Sequence, residues 1–157
     1  MVISVRRANI EDLDYIRDFC RGLFEYDAQF DDTLDIEWPY TEDGKDELAD
    51  RLIDEDDSCV FLASDGDNVV GYLVGLIEDA GSHRTVGKMG ELEHMYIKED
   101  YRRKGVGSKL CESFFDWCKS KDVNRATVIS SSENFRALAF YRKQGFFDFD
   151  ICLEMDL

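Results

Sequence analysis

Tyr101-Arg102-Arg103-Lys104-Gly105-Val106-Gly107-Ser108 gathers three cations and two glycines into eight residues. Such a stretch suits a pyrophosphate. Glycines let the main chain approach an anion closely, and where the stretch opens a helix its first-turn N–H groups meet the anion at the positive end of the helix. Three cationic side chains add charge-assisted hydrogen bonds, each worth roughly 1.5–3 kcal/mol when well formed. The order is neither G-x-x-x-x-G-K-[ST] nor G-x-G-x-x-G, so nucleoside triphosphates and nicotinamide cofactors are poorly supported. Taken alone, the pattern fits a basic helix start with no ligand equally well. Two other groups carry usable chemistry. Glu91, Glu93 and His94 precede the loop, and Asn134 and Tyr141 lie seven residues apart, two helical turns, on one face.

The elements that must position these residues follow from periodicity. Val2 to Arg7 reads as a first strand, and Asn9-Ile10-Glu11-Asp12 as a capped helix start with acids in its first turn. Leu13, Ile16, Cys20, Leu23 and Phe24 form the buried stripe of that helix. Asp27 to Thr41, with Trp38-Pro39, is a loop, and Glu42 to Asp54 a second helix facing inward through Leu48, Leu52 and Ile53. Ser58–Ala63 and Val69–Glu78 flank the turn signal Asp65-Gly66-Asp67-Asn68 and read as a hairpin. Lys88 to Ile97 is the next strand. Gly105 to Lys119 is a helix burying Val106, Leu110, Phe114 and Trp117; Arg125 to Ser130 is a strand, Asn134 to Lys143 a helix, and Phe146 to Met155 a closing strand. Strands leading into helices in the C-terminal half imply parallel pairing there. The fold class is therefore mixed α/β, an α+β sandwich with one central sheet and helices on both faces, in one domain over 1–157.

Composition narrows the function. The chain carries 35 acidic against 19 basic residues, net −16, and from Glu25 to Asp57 alone 15 acids face only Lys45 and Arg51. That balance argues against nucleic acid, and no apolar run is long enough to span a bilayer. The acidic stretch reads either as a solvated face or as a field that attracts a cationic substrate. The first seven residues lack a signal-peptide pattern. Five cysteines, none in C-x-x-C spacing, point to reduced thiols in a cytoplasmic protein, and nothing calls for a metal.

Leu92-Glu93-His94-Met95-Tyr96-Ile97, the loop, and then Asn134-x-x-Ala137-x-x-Phe140-Tyr141-x-x-x-Gly145-Phe146 together resemble the GNAT superfamily of acetyl-CoA-dependent N-acetyltransferases. The family's [QR]-x-x-G-x-[GA] loop is met by Arg102, Gly105 and Gly107. The resemblance is strong from Leu92 to the C-terminus. It implies a bulged fourth strand splayed from the fifth, leaving a notch for the pantetheine arm beside the main chain of Met95, Tyr96 and Ile97. It also implies a pyrophosphate cradle formed by Arg102, Arg103, Lys104, Gly105, Val106, Gly107 and Ser108. A bulge would explain why strict alternation places Glu91, Glu93, Met95 and Ile97 on one face, two acids with two apolar residues.

By the same resemblance Asn134 meets the cofactor, and Tyr141 both contacts it and protonates the departing thiolate. Glu93 is the expected general base, since an ammonium must lose a proton before it can attack a thioester. Glu91 is the runner-up; His94 is set aside as a packing residue. Tyr26 and Asp27 are expected to hold the acceptor by cation–π contact and ion pairing. The implied activity is acetyl transfer from acetyl-CoA to a small cationic amine: a polyamine, a lysine-like amino acid or an aminoglycoside. A protein lysine or N-terminal acetyltransferase is the alternative enzyme. A catalytically silent acyl-CoA-binding module is the alternative of another class. Trp38 is either an acceptor-site wall or a loop anchor, and the apolar Phe147 to Leu157 supports a homodimer edge.

Overall fold

Apolar residues at alternate positions let β1 (Ile3–Arg7) turn one side into the core, and it pairs antiparallel with β2 (Ser58–Asp65). Gly66 and Asp67 reverse the chain into β3 (Asn68–Asp79), which is buried over most of its length. β4 (Lys88–Ile97) follows antiparallel to β3, and β5 (Ala126–Val128) closes the sheet parallel to β4, in the order β1-β2-β3-β4-β5. The computed structural model describes residues 1–157 throughout. No helix is long and apolar enough to cross a membrane.

Each sheet face has its own helices and its own core. α1 (Leu13–Asp27) and α2 (Glu42–Ile53) cover one face, where Ile16, Phe19, Cys20, Leu48 and Leu52 pack on Val60, Leu62, Tyr72 and Val74. Asn9 caps the short 3-10 turn that leads into α1, in a reciprocal capping box with Asp12. α3 (Val106–Ser120) and α4 (Phe135–Gln144) lie on the other face. There Val106, Leu110, Phe114, Trp117 and Cys118 pack on Cys59, Leu73 and Leu92, with Phe140 and Tyr141 alongside. Helices on both faces of a mixed sheet agree with the pattern of the sequence.

Three expectations need correction. Ile53 is 64% exposed, because it lies about 100° round the helix from Leu52, off the buried stripe. β5 is three residues long rather than six, because β4 diverges beyond the Leu92–Val128 pair and leaves later residues without a ladder partner. The closing strand over Phe146–Met155 does not form within the chain. Residues 145–157 carry no helix or ladder, and the apolar side chains from Phe147 onward are exposed.

Candidate active site

The ladder between β3 and β4 slips once. Val74 faces His94 and Gly75 faces Leu92, so Glu93 is the extra residue of a β-bulge. The slip decides which side each later residue uses. Leu92 packs with α3, Glu93 reaches α2, His94 reaches α1, and Met95 and Ile97 return to the α3 side. Two consecutive residues thus point into the same helix layer. The bulge implied by the family resemblance is present, and it separates Glu93 from Met95 and Ile97.

Beyond Leu92 and Val128, β4 and β5 no longer pair, which opens a notch along Met95, Tyr96 and Ile97. At its wide end, Gly105 caps α3 from a left-handed conformation, φ 83°, with no side-chain cap on the helix. The first-turn N–H groups therefore remain available to an anion. Gly107 follows at a close approach: a Cβ there would lie 3.0 Å from the Phe140 ring and 3.2 Å from Ile97 Cδ1. Ser108 accepts a hydrogen bond from Gln144 of α4 at 3.0 Å, and Lys104 lies over the Tyr101 ring. Arg103 holds φ 57°, and its main chain turns the loop. The arrangement fits an acyl-CoA, with a cationic, amide-rich cradle at the mouth of a notch edged by unpaired strand.

Arg102 has a different position from the other cations. Its Nε donates to Ile97 O at 2.9 Å, and its guanidinium lies over both Tyr26, at 5.1 Å, and Tyr96, at 5.5 Å. Arg102 thereby fastens the 102–108 loop to the end of β4 and to the C-terminal turn of α1. Tyr26 does meet a cation, and that cation is internal. Asp27, half-buried beside it, has no hydrogen-bond or ion-pair partner for its carboxylate; burial, then Asp31, raises its pKa.

Tyr141 lies partly buried on α4, edge-on to Phe140 and Phe146. Burial, followed by Cys111 and Asp27, pushes its phenol well above the ordinary tyrosine value. It is therefore protonated over the whole physiological range. Asn134 is buried and caps α4, its Oδ1 accepting from Ala137 N at 3.2 Å. Its amide nitrogen carries no intramolecular bond.

Glu93 is held by α2. Arg51 Nε donates to one carboxylate oxygen at 2.9 Å and Nη2 to the other at 3.2 Å, while the same guanidinium lies 3.6 Å from Glu47. Glu91 lies in a separate cavity with Glu78, Arg84, Met89 and Phe149, and burial, then Glu78 and Glu93, raises its pKa.

His94 stands at the wall of a cavity of about 340 Å³ between α1, the 31–38 loop and α2, with Phe24, Thr33, Leu34, Asp35, Trp38 and Glu47. Trp38 stacks on Phe24, which meets the His94 ring edge-on. Burial lowers the His94 pKa, so its ring is neutral near pH 7. Cys20 Sγ lies 4.0 Å from His94 Nδ1. Sequence reasoning set His94 aside and gave no role to Asp35 or Glu47. Their common cavity depends on the bulge and on how the loop folds back, which no local pattern encodes. Trp38 lines the cavity and also anchors the loop against α1.

Residues 25–146 match the model of the acetyltransferase (GNAT) family. The aminoglycoside N(6')-acetyltransferase type 1 of Stenotrophomonas maltophilia is 30% identical over 111 residues, 69% of this chain and 72% of that protein. The N-alpha-acetyltransferase 30 of Schizosaccharomyces pombe is 27% identical over 86 residues, and the match spans 55% of each chain. Among solved structures, AAC(6')-Iy in complex with the bisubstrate analogue CoA-S-monomethyl-acetylneamine superposes with a TM-score of 0.79 at 17% identity, over 100% of this chain and 99% of that one. That likeness concerns the fold.

Proposed function

The chain belongs to the GNAT family of acetyltransferases, and from that premise we propose that it transfers the acetyl group of acetyl-CoA to a primary amine of a small cationic molecule. The observation that carries the acceptor class is the aromatic cavity at His94, whose rim bears Asp35 and Glu47. Phe24 and Trp38 offer faces to an ammonium or an aliphatic chain, and two carboxylates favour a cation. The relatives that support this reading are the aminoglycoside N(6')-acetyltransferase and a streptothricin acetyltransferase, the latter 29% identical over 102 residues.

In this reading Arg103, Lys104 and the main chain of Gly105, Val106, Gly107 and Ser108 bind the pyrophosphate. Arg102 holds the loop in place, and the Asn134 amide nitrogen and the edge of Met95, Tyr96 and Ile97 receive the pantetheine arm. Acetyl-CoA supplies a thioester carbonyl, at which a C–N bond forms and the C–S bond breaks. Glu93 accepts the proton the amine loses, through a water, while Arg51 fixes the carboxylate. Tyr141 donates its phenolic proton to the departing sulfur. Asp27 pairs with an acceptor ammonium, and Tyr26 shapes that end of the site through Arg102.

A second base is favoured by a specific observation. Both Glu93 oxygens already accept from Arg51, whereas the neutral His94 ring lines the cavity itself. Loss of turnover in His94→Gln but not in Glu93→Gln would assign the proton to His94. The working unit in this reading is one domain over 1–157, cytoplasmic, and a homodimer. Four buried free thiols support the cytoplasm, and the apolar C-terminal segment supports the dimer.

Thiol release from acetyl-CoA across spermidine, putrescine, lysine, an aminoglycoside and a lysine-bearing peptide tests the acceptor class. Turnover confined to the small cationic amines supports it. A clear preference for the peptide sinks it in favour of a protein acetyltransferase. Acetyl-CoA binding without turnover on any of them points to a binding module.

A further inference from the structure

Three polar groups meet in the core between α1 and the sheet: the Cys20 thiol, the Tyr72 hydroxyl and the His94 ring. Cys20 and Tyr72 are fully buried. The β-bulge turns His94 toward them and sets its Nδ1 4.0 Å from Cys20 Sγ, the outer reach of a sulfur contact. The Tyr72 and His94 rings lie 6.2 Å apart, and Phe24, a cavity residue, meets the imidazole edge-on. Turning the imidazole over would put a carbon against the sulfur. Burial pushes the Cys20 thiol up to about 12, and burial, then Cys20, holds the Tyr72 phenol well above its ordinary value, so both keep their protons. The Tyr72 hydroxyl finds no nitrogen or oxygen partner, and the Cys20 sulfur is the polar atom that bears on it most.

These groups can be joined in three ways. If Nδ1 carries the imidazole proton and the thiol donates to Tyr72, the phenolic O–H has no acceptor. If Nδ1–H and the phenol both donate to sulfur, a weak acceptor takes two bonds and the S–H is left over. If the phenol donates to Cys20 and the thiol donates to Nδ1, every buried donor is used. The imidazole proton then sits on Nε2, which has no partner in the protein and belongs to the cavity wall. Protein interiors leave acceptor lone pairs idle more readily than donors, and only the third arrangement obeys this.

We infer that Tyr72 and Cys20 are positioning residues that fix His94 as its Nε2–H tautomer, so that the cavity wall offers a hydrogen-bond donor and selects an acceptor with an oxygen beside its amine. This deepens the small-amine reading and rests on it. The ring's lone pair faces Cys20, so Nε2 does not take the amine's proton, and that task stays with Glu93. Asp35 and Glu47 on the same rim disfavour a carboxylate as the source of the oxygen. A hydroxyl or ring ether fits, which points within the cationic amines to an amino sugar over a plain alkyl polyamine. A site built around such a contact rejects an analogue without the oxygen, because its own donor is then left unpaired.

His83 and His94 are the only histidines, so NMR of the labelled imidazole nitrogens reads the tautomer without reference to turnover. His83→Gln assigns the two. At pH 8 the unmodified protein should show His94 as Nε2–H alone. Cys20→Ala removes the donor to Nδ1, and Tyr72→Phe frees the sulfur to accept; each should release a mixture of tautomers. Cys20→Ser, which keeps a donor, should hold the single form. An Nδ1–H ring or a mixture in the unmodified protein overturns the inference whether or not the variants fold. An Nε2–H form that persists alone in both Cys20→Ala and Tyr72→Phe overturns the role of those two residues. For the selection, an aminoglycoside should slow solvent exchange of the His94 Nε2–H at least tenfold, and spermidine should leave it unchanged. Equal effects, or none from the aminoglycoside, overturn it. Efficient turnover of spermidine with His94 still Nε2–H would leave acetyl transfer standing and overturn the oxygen contact alone.

Discussion

Arg51 donates to both oxygens of the Glu93 carboxylate, at 2.9 and 3.2 Å, joining α2 to the bulge of β4 across 42 residues of sequence. Both side chains are largely screened from solvent, 24% and 20% exposed. Arg51→Met leaves a partly buried carboxylate without its donors, at a cost of about 1–3 kcal/mol. At about 2–4 °C per kcal/mol for a chain of this size, the loss is readable by thermal melting. Arg51→Met combined with Glu93→Gln should lose less than the sum of the two single losses. Additive losses would mean that the pair contributes nothing beyond its separate parts.

Trp38→Ala removes one wall of the cavity at His94. The KM for the best amine should rise at least tenfold, while the KM for acetyl-CoA stays within twofold. Asp35→Asn with Glu47→Gln should penalise a diamine more than a monoamine, because each carboxylate removed is a lost partner for a second ammonium. Equal losses for both substrates would remove these acids from acceptor recognition.

Gly105 occupies φ 83°, where a β-branched residue is strained by about 1–2 kcal/mol. Gly105→Val should relieve that strain by moving the loop, and should weaken acetyl-CoA binding at least tenfold by calorimetry. Unchanged affinity would place the pyrophosphate elsewhere.

Acid should destabilise the protein in two steps. Burial holds the His94 pKa below its ordinary value, against Glu93 and with Arg51. The unfolded chain therefore binds a proton that the native state refuses, and stability falls as pH drops below about 6.5. Asp12 acts lower down. Hydrogen bonds from Arg6, both 2.8 Å, and then from Asn9 N hold its pKa below the ordinary aspartate value against burial. Its contribution is full above about pH 4 and lost as pH falls through the native value. Urea midpoints from pH 8 to 3 should show both steps, with His94→Gln flattening the upper and Asp12→Asn the lower. Persistence of the upper step in His94→Gln would assign it to another group.

Much of this was legible in the sequence where one period governs one face. The stripe Val106, Leu110, Phe114 and Trp117 is buried as its spacing requires, and the bulge that the family resemblance implied accounts for the conflict between Glu93 and Met95. Phe19 escaped notice because it lies one position from Cys20, at the edge of the stripe. The partner of Glu93 was not readable, since Arg51 meets it only after two distant elements pack. The ring of Tyr26 looked free for a ligand, and only the folded loop brings Arg102 over it. The period of Phe147–Leu157 is a strand signal, but a strand also needs an edge to pair with, and the segment makes no ladder with either end of the sheet.

The most direct test is steady-state turnover with the best amine in Glu93→Gln and Tyr141→Phe, alongside the acetyl-CoA dissociation constant of each. Loss of a proton-transfer group costs 10²–10⁴-fold. The account predicts that kcat falls about a hundredfold or more in both variants while acetyl-CoA binding changes less than threefold. Turnover within threefold of the unmodified protein in both variants would contradict it.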